Sequence, residues 1–221
     1  LTSISLLFLS LSQEQEWVRT ETGDKREGYL SRISGVLKND MNFTYYLITV
    51  ALIGGLGKMP FAFHIVFAKE KLGIMEQQVS LATFILLMCQ TIGYLAWGVL
   101  GDKYGFKRTL EISAVIFIPT LFLTYLMSNY TVFYMSMGLF GLAQSARNVN
   151  ENNLAITLCR NPENQPLYIG VRNLLMGPIF ALSPVLSGIA YDFLGQDVLF
   201  ISAGLFMVLG LYIMLKNVKE F

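Results

Sequence analysis

Four charged side chains lie within strongly apolar stretches of the sequence, where a charge has few partners. They are Lys58, Arg147, Glu151 and Arg172. An ionisable group inside a membrane span is costly, and its presence there indicates a functional site by default. These groups could bind a charged or polar solute. They could also pair with one another, as Arg147 and Glu151 could if they lie four residues apart on one helix face.

Uncharged polar residues in the same stretches extend this set. Gln144, Arg147 or Asn148, and Glu151 recur at helical spacing and share one face, which cannot face lipid. Either that face lines a water-filled cavity, or the apolar helix ends near Gln144 and the remainder is a solvated extension. The candidates for substrate binding or cavity lining are Lys58, Gln90, Gln144, Arg147, Asn148, Glu151, Arg172 and Asn173.

Lys58 lies in a segment that is poorly suited to a continuous helix. Pro60 and glycines at positions 54, 55 and 57 surround it, and these residues weaken a helix. Discontinuous helices often form transporter binding sites. Lys58 could pair with an anionic substrate or with a carboxylate elsewhere in the protein, or its side chain could snorkel outward. His64, the only histidine, is expected to be an interfacial group near the outer end of this segment, with a proton carrier as the alternative.

Arg172 requires a nearby anion, and the sequence offers Glu151, Glu111 and Asp102. A structural ion pair is favoured over contact with a substrate. Glu111 itself is expected to form a local salt bridge, because basic residues such as Lys107 lie one helical turn before it.

Composition points to a membrane protein. Hydrophobic residues make up 54% of the 221 residues and charged residues 14%, whereas a soluble domain carries roughly 25% charged residues. Intrinsic disorder is excluded by this hydrophobicity. With 16 Lys and Arg against 15 Asp and Glu, there is no basic excess for nucleic acid. The two cysteines, Cys89 and Cys159, lie in apolar runs and do not indicate a disulfide-stapled domain.

Membrane helices are therefore the elements that must position these side chains. Such a helix needs about 20 largely apolar residues, and six segments qualify. They are residues 43–67, 79–100, 109–127, 131–153, 166–190 and 198–215. Residues 43–221 are predicted to form an all-α bundle of six transmembrane helices, because the strands of a membrane barrel would alternate apolar and polar side chains.

The N-terminal region has a different character. Residues 1–11 are apolar but too short to span a bilayer, and they are expected to be the end of a preceding transmembrane helix. Residues 12–42 form the longest polar stretch. Within it, apolar residues at positions 29, 30, 33, 36 and 37 favour a short amphipathic helix at the membrane surface. A solvated linker is the alternative.

The positions of Lys and Arg predict the orientation. If residues 12–42 are cytoplasmic and the spans alternate, eleven Lys and Arg fall on the cytoplasmic side and two, Lys69 and Lys71, on the outer side. Both ends of this segment are therefore predicted to be cytoplasmic. The expected location is the cell membrane, either a plasma membrane or a bacterial inner membrane.

One motif occurs twice. The pattern G-x-x-x-D-x-x-G begins at Gly98 after the second span and again at Gly188 after the fifth, an offset of 90 residues. An offset of three spans puts the two copies on opposite sides of the membrane. This arrangement is typical of an inverted repeat of three plus three helices.

The first copy, with the basic residues that follow it, resembles the cytoplasmic signature loop of the major facilitator superfamily (MFS). The residues that carry this resemblance are Gly98, Asp102, Lys103, Gly105, Lys107 and Arg108. In that family the acid equivalent to Asp102 helps to hold the helices together in one conformation and to release them in the other. The resemblance thus implies a gating motif, and a tight, well-anchored turn is the alternative.

The resemblance covers essentially the whole chain. It implies that residues 12–42 are the central cytoplasmic loop and that the six spans are the C-terminal half of an MFS fold. The implied function is secondary active transport of a small solute by alternating access. The implied partners are the N-terminal six-helix half of the same transporter, a small-molecule substrate and the lipid bilayer. Transport could be coupled to a proton or a sodium ion, and a facilitator or exchanger is the alternative.

Other functions find less support in the sequence. It contains no Walker motif, no H-E-x-x-H and no G-x-S-x-G, so no enzyme activity, catalytic residue, metal site or cofactor is predicted, and no nucleic acid partner is expected. The alternative function is a transport-inactive sensor or a six-span membrane protein acting as a dimer. The residues identify neither the substrate nor the direction of transport.

Overall fold

The computed structural model describes residues 29–220, in which every regular element is a helix. The residues from Ile33 onward belong to one compact unit. Two predictions from the sequence fall elsewhere. The end of a preceding helix at residues 1–11, and the part of the central loop at residues 12–28, lie outside the described residues.

Seven α-helices make up the described part of the chain. They are α1 (Tyr29–Asn39), α2 (Met41–Val50), α3 (His64–Leu72), α4 (Glu76–Tyr104), α5 (Phe106–Tyr125), α6 (Tyr130–Leu158) and α7 (Gln165–Asn217). A π-helix (Ala51–Leu56) and a 3-10 helix (Met59–Phe63) lie between α2 and α3, and a 3-10 turn (Pro162–Asn164) precedes α7. α1 lies in the stretch where a short helix is predicted, and it buries Ile33 in the core. Its position at a membrane surface stays a prediction.

Polar residues and glycines set several helix ends. Asp40 begins α2 by accepting a hydrogen bond from the Phe43 amide at 3.0 Å. Asn129 begins α6 in the same way, with the Val132 amide at 2.9 Å. Each side chain satisfies one of the amides that a helix leaves free in its first turn. Gly73 ends α3 in a left-handed conformation, with φ of 60°.

α7 is a run of 53 residues that folds back on itself at Gly195, where φ is 83° and ψ is 169°. Ser187 Oγ donates to the carbonyl oxygen of Met59 at 2.7 Å, and Met207 lies against Gly57. In a straight helix Ser187 and Met207 would be about 30 Å apart, so the chain must reverse between them to reach neighbouring residues. α7 therefore consists of two helices, α7N (165–194) and α7C (196–217).

Residues 41–72 form one interrupted rod, called the first rod below, which contains α2, the π-helix, the 3-10 helix and α3. It runs antiparallel to α6. Near the start of the rod, Tyr46 OH donates to the carbonyl oxygen of Glu151, late in α6, at 2.7 Å. Near its end, His64 Nε2 lies 2.8 Å from the hydroxyl of Ser136, early in α6. This long contact brings the polar face of α6 against the irregular part of the rod.

The last described residues form hydrogen bonds across one end of the bundle. The Glu220 carboxylate accepts hydrogen bonds from the amides of Phe106 at 2.9 Å and Lys107 at 3.0 Å, at the start of α5. The side chain of Asn42 exchanges two hydrogen bonds, each of 2.8 Å, with the backbone of Lys219. The segment after α7C therefore ties the start of the first rod to the α4–α5 turn.

The opposite end of the bundle has its own set of contacts. Lys71 Nζ donates to the carbonyl oxygen of Tyr125 at 2.5 Å, and Tyr191 OH donates to Glu70 at 2.8 Å. Lys71 thus lies at the end away from the basic residues at 103–108 and 216–219. This segregation agrees with the charge count from the sequence, and which end faces the cytoplasm stays a prediction.

Three stretches of the described chain are long and apolar enough to cross a membrane. They are Met41–Leu72, Glu76–Tyr104 and Pro162–Asn217. The third spans 56 residues and contains both α7N and α7C, so it holds two helices. The predicted count of six spans is not reached by this criterion and stays a prediction.

The two copies of the repeated motif end in the same backbone conformation. Gly105 has φ of 91° and ψ of 150°, and Gly195 has φ of 83° and ψ of 169°. This region of backbone space is open essentially to glycine alone. The repeat found in the sequence therefore corresponds to two glycine turns that each separate consecutive helices.

Large apolar side chains remain exposed along one face of α4 and along α7N. On α4 they are Phe84, Leu87, Met88, Ile92, Leu95 and Val99, and on α7N they are Leu174, Leu182, Val185, Leu186, Ile189 and Phe193. Such continuous apolar faces mark surfaces that lipid or another protein surface covers.

Replacing Gly105 with alanine is expected to destabilise the bundle by about 1–3 kcal/mol, because a Cβ makes its backbone conformation strained and would press on the Glu220 carboxylate. The free energy of unfolding, from SDS titration in mixed micelles, measures this. Gly98→Ala is the matched control, since Gly98 is helical and faces open space; it should be neutral or stabilising by up to about 1 kcal/mol. Equal losses of unfolding free energy in both variants would contradict the strained backbone conformation assigned to Gly105.

Candidate substrate cavity

The first rod is interrupted where its sequence contains glycine and proline. The α-helix stops at Val50, and α-helical structure resumes only at His64. The prediction of a discontinuous helix is therefore confirmed. Lys58 lies between the π-helix and the 3-10 helix, and its Nζ donates to Gln144 Oε1 on α6 at 2.8 Å. The snorkelling alternative is wrong, because the ammonium group reaches across to α6 within the bundle.

α6 continues well beyond Gln144 and buries the charged part of its polar face. Arg147 is 4% exposed and Glu151 is 7% exposed, so a solvated extension after Gln144 is wrong. The predicted pair between them forms, with Arg147 Nε and Nη2 both donating to Glu151 Oε1. One oxygen of the carboxylate is thereby held by one guanidinium group.

α7N brings a second guanidinium group to the same carboxylate. Arg172 Nη2 donates to Glu151 Oε2, so Glu151 is the anion that the sequence required for Arg172. Glu111 pairs instead with Lys107 at 3.2 Å, as expected. Arg147, Glu151 and Arg172 are called the charged triad below. The desolvation cost of buried charges is offset only when they are paired and hydrogen-bonded, as these are.

Two residues of the first rod support the charged triad. Tyr46, which is 1% exposed, accepts a hydrogen bond from Arg172 Nε at 3.2 Å while its hydroxyl donates to the backbone of Glu151. Gly54 lies directly against the guanidinium group of Arg147, where any Cβ would collide with it. The triad therefore joins α6, α7N and the first rod.

A cavity of about 580 Å³ opens beside the charged triad, which is within the range of ligand pockets. Its polar wall is formed by Lys58, Gln144, Arg147, Asn148, Glu151, Asn152 and Arg172. The remaining lining is formed by Gly54, Phe61, Ala62, Phe140, Phe180, Ser183 and Pro184. One wall can thus hold charge and the other can accept an apolar body.

Six of the eight predicted cavity residues line this one cavity, namely Lys58, Gln144, Arg147, Asn148, Glu151 and Arg172. Gln90 and Asn173 do not line it. Gln90 Nε2 donates to Tyr94 OH at 3.0 Å, and that hydroxyl also accepts from Asn148. Asn173 is exposed and accepts from Arg172 Nη1 at 2.9 Å. Asn173 therefore contacts the cavity residue Arg172 directly, whereas Gln90 reaches Asn148 through Tyr94, and neither lines the cavity as expected.

The expectation that His64 is interfacial is wrong. Its side chain is 3% exposed, and its Nε2 lies 2.8 Å from Ser136 Oγ and 3.4 Å from Thr124 Oγ1. These hydroxyl groups come from α6 and α5, so the apolar segment that contains His64 gives no sign of them.

The predicted gating motif lies at the junction of α4 and α5. Gly105 makes the turn, Lys107 pairs with Glu111, and Lys103 Nζ lies 5.2 Å from the ring of Tyr104. Arg108 is exposed, and Gly98 faces open space. These features suit a well-anchored turn, and the gating role stays a prediction.

Asp102, which the sequence offers as one of three candidate anions for Arg172, does not pair with it. Its side chain is exposed, and within residues 29–220 no hydrogen bond or ion pair involves it. The free amides at the start of α5 are bound instead by Glu220. Asp102 is therefore open to a partner outside the described residues.

Sequence reasoning missed Tyr46 and Glu220. A tyrosine within an apolar run of the first span was a usable signal, because a buried hydroxyl needs a hydrogen-bond partner. Glu220 gave no signal, since it lies more than 100 residues from the amides that it binds.

The helices and this cavity together define a helical membrane protein with a polar, charged cavity between a discontinuous helix and its neighbours. The family model of the Major Facilitator Superfamily matches residues 41–220. The chain belongs to the Major Facilitator Superfamily, whose members are membrane transporters. No curated protein matches the sequence.

Glu151→Gln is expected to destabilise the protein by about 3–5 kcal/mol, because it leaves two buried guanidinium groups without a counter-charge. Glu111→Gln is the matched control, since it removes the same charge from a partly exposed pair and should cost less than about 1 kcal/mol. SDS titration in mixed micelles, followed by tryptophan fluorescence, measures both losses. Similar losses in the two variants would show that the triad does not stabilise the bundle.

Proposed function

We propose that this protein is a secondary active transporter that moves a small solute through the cavity by alternating access. The observation that carries the proposal is the cavity itself, which lies between a discontinuous helix and the charged face of α6. Irregular backbone and buried charge are tolerated in a membrane protein where they face a cavity or neighbouring protein. Membership of a family of transporters supports the same function.

We further propose that the chain contributes the C-terminal half of the transporter, with six spans related as an inverted three-plus-three repeat. The paired glycine turns at Gly105 and Gly195 support the repeat. The exposed apolar faces of α4 and α7N support a partner bundle, the N-terminal six-helix half, that covers them. Rocking of one bundle against the other would open the cavity to alternate sides of the membrane.

In this proposal the protein lies in the cell membrane, with both ends of the segment in the cytoplasm. The basic residues around the α4–α5 turn then face the anionic inner leaflet, where each is worth about 1 kcal/mol. A proton or sodium gradient supplies the energy. Glu151 is the acid that lines the cavity, and its two arginine partners tie any change in its charge to the contact between α6 and α7N.

A transport screen with the full-length protein in liposomes tests this function for many solutes at once. Proteoliposomes are incubated with a ¹³C-labelled extract of small metabolites, with and without an imposed proton or sodium gradient. Mass spectrometry of the liposome contents should show at least one labelled compound that protein-free liposomes lack. If no such compound is found with the gradient imposed in either direction, the transport proposal is overturned and a sensor is favoured.

Gly54→Ala is expected to lower the initial rate of that transport by about tenfold or more, since a Cβ would displace the Arg147 guanidinium from the cavity wall. Gly204→Ala is the matched control, because its Cβ would make only an ordinary contact with Leu121 at 3.6 Å. It should retain the wild-type rate within about twofold. Equal transport rates for the two variants would show that the solute does not pass through this cavity.

Asp102→Ala should impair transport more than it impairs insertion into the membrane. In the proposed gate this exposed carboxylate binds a partner in one conformation and releases it in the other, so its loss leaves the folded bundle intact. The initial rate of transport is compared with the amount of protein extracted from the membrane. Wild-type transport by this variant would leave the motif as a structural turn only.

A further inference from the structure

The charges around the cavity do not balance. Its lining includes three cationic side chains, Lys58, Arg147 and Arg172, and one carboxylate, Glu151. Both oxygens of that carboxylate already accept hydrogen bonds from the two arginines. The cavity therefore carries an excess of two positive charges within residues 29–220.

Lys58 is the cation with the weakest compensation. Among the described residues its Nζ has a neutral hydrogen-bond partner, Gln144 Oε1 at 2.8 Å, and lies 5.9 Å from the centre of the Phe117 ring. No carboxylate within residues 29–220 forms an ion pair with it. A lysine ammonium group carries three donors, so two of them remain open to a ligand.

Arg147 also has a hydrogen-bond donor without a partner among the described residues. Its Nη1 is buried and has no hydrogen-bond partner in the described part of the chain. The side chain is 95% buried and lines the cavity. A buried donor without a partner is rare in folded proteins and costs stability. An acceptor supplied by a ligand would satisfy it.

A network of neutral groups fixes this cationic wall in position. Gln144 Nε2 donates to Asn148 Oδ1 at 2.8 Å, and Asn148 Nδ2 donates to Tyr94 OH at 2.9 Å. Because Gln144 also accepts from Lys58, the ammonium group is held in place before any ligand arrives. A site that is arranged in advance loses less entropy on binding.

The rest of the cavity is suited to an apolar body. Phe61, Phe140 and Phe180 line it together with Pro184. Phe61 and Phe140 pack with ring centres 4.7 Å apart and form a continuous aromatic surface. An inorganic anion would leave this surface without a contact, whereas an organic anion would cover it.

We propose that the cavity binds a small organic anion, whose carboxylate or phosphate group accepts hydrogen bonds from Lys58 and Arg147 and whose apolar body lies against the aromatic wall. This inference rests on the proposed transport function, since it names the class of solute for the same cavity. It also identifies Lys58 and Arg147 as the residues that select for negative charge.

Binding is tested on the full-length protein in nanodiscs of phosphatidylcholine, a lipid without net charge, so that no anionic lipid competes. Isothermal titration calorimetry compares benzoate and phenyl phosphate with the neutral benzamide, the cationic benzylamine and inorganic phosphate. At least one of the two organic anions should bind about tenfold more tightly than every other probe, because a hydrogen bond to a charged group is worth that much. Equal binding of anion and benzamide, or no binding of either organic anion, would overturn the inference.

Lys58→Met tests the residue that the structure assigns to the anion. It should weaken binding of the preferred anion by about tenfold, and Lys58→Arg should restore most of the affinity. Lys69→Met, which removes an exposed charge at the far end of the bundle, should stay within about twofold of wild type. If Lys58→Met keeps both its affinity for the anion and its thermal unfolding midpoint, Lys58 does not bind the anion. A fall in that midpoint, with no anion bound by the wild type, would indicate a carboxylate partner elsewhere in the protein and would also overturn the inference.

The transport assay separates failure of this inference from failure of the proposed function. Accumulation of labelled organic anions, lowered by Lys58→Met, supports both. Accumulation of neutral or cationic compounds alone would support the transport function and overturn the inference that the cavity binds an organic anion. Tight anion binding without any transport keeps the site and overturns the transport proposal.

Discussion

The carboxylate of Glu151 is the interaction on which the rest of this structure depends. It accepts hydrogen bonds from Arg147 on its own helix and from Arg172 on α7N, while Tyr46 joins the first rod to both. The first rod, α6 and α7N are thus fixed to one buried anion. Their polar groups are satisfied mainly by each other, which is what an apolar surrounding demands.

This constraint explains why the neighbouring backbone is irregular. The guanidinium group of Arg147 can lie against the first rod because Gly54, within the π-helix, has no side chain there. The break between the π-helix and the 3-10 helix places Lys58 where its Nζ reaches α6. A regular helix through the same residues would direct its side chains at fixed intervals of about 100°. The interrupted helix therefore forms part of the cavity wall and brings Lys58 to Gln144 on α6.

Much of this arrangement could be predicted from the sequence, because the predictive signals were local. The pair of Arg147 and Glu151 follows from helical spacing, and the break around Lys58 follows from glycine and proline. The errors concern contacts that only the tertiary structure creates. The sequence places Gln90 at the cavity because apolar runs do not fix how α4 is rotated. It places His64 at an interface because the hydroxyl partners of His64 belong to other helices. The six-span count, the partner half and the transported solute depend on the membrane and on parts beyond the described residues, so they stay predictions.

The matching turns at Gly105 and Gly195 have a consequence for how the chain enters the membrane during synthesis. Since both turns share one backbone conformation, the turn itself carries no information about the side on which it should end. The difference lies in the next few residues, because Lys107 and Arg108 follow the first glycine closely and no basic residue follows the second within 20 positions. Basic residues resist translocation, so this charge difference would favour keeping the first turn, rather than the second, on the cytoplasmic side.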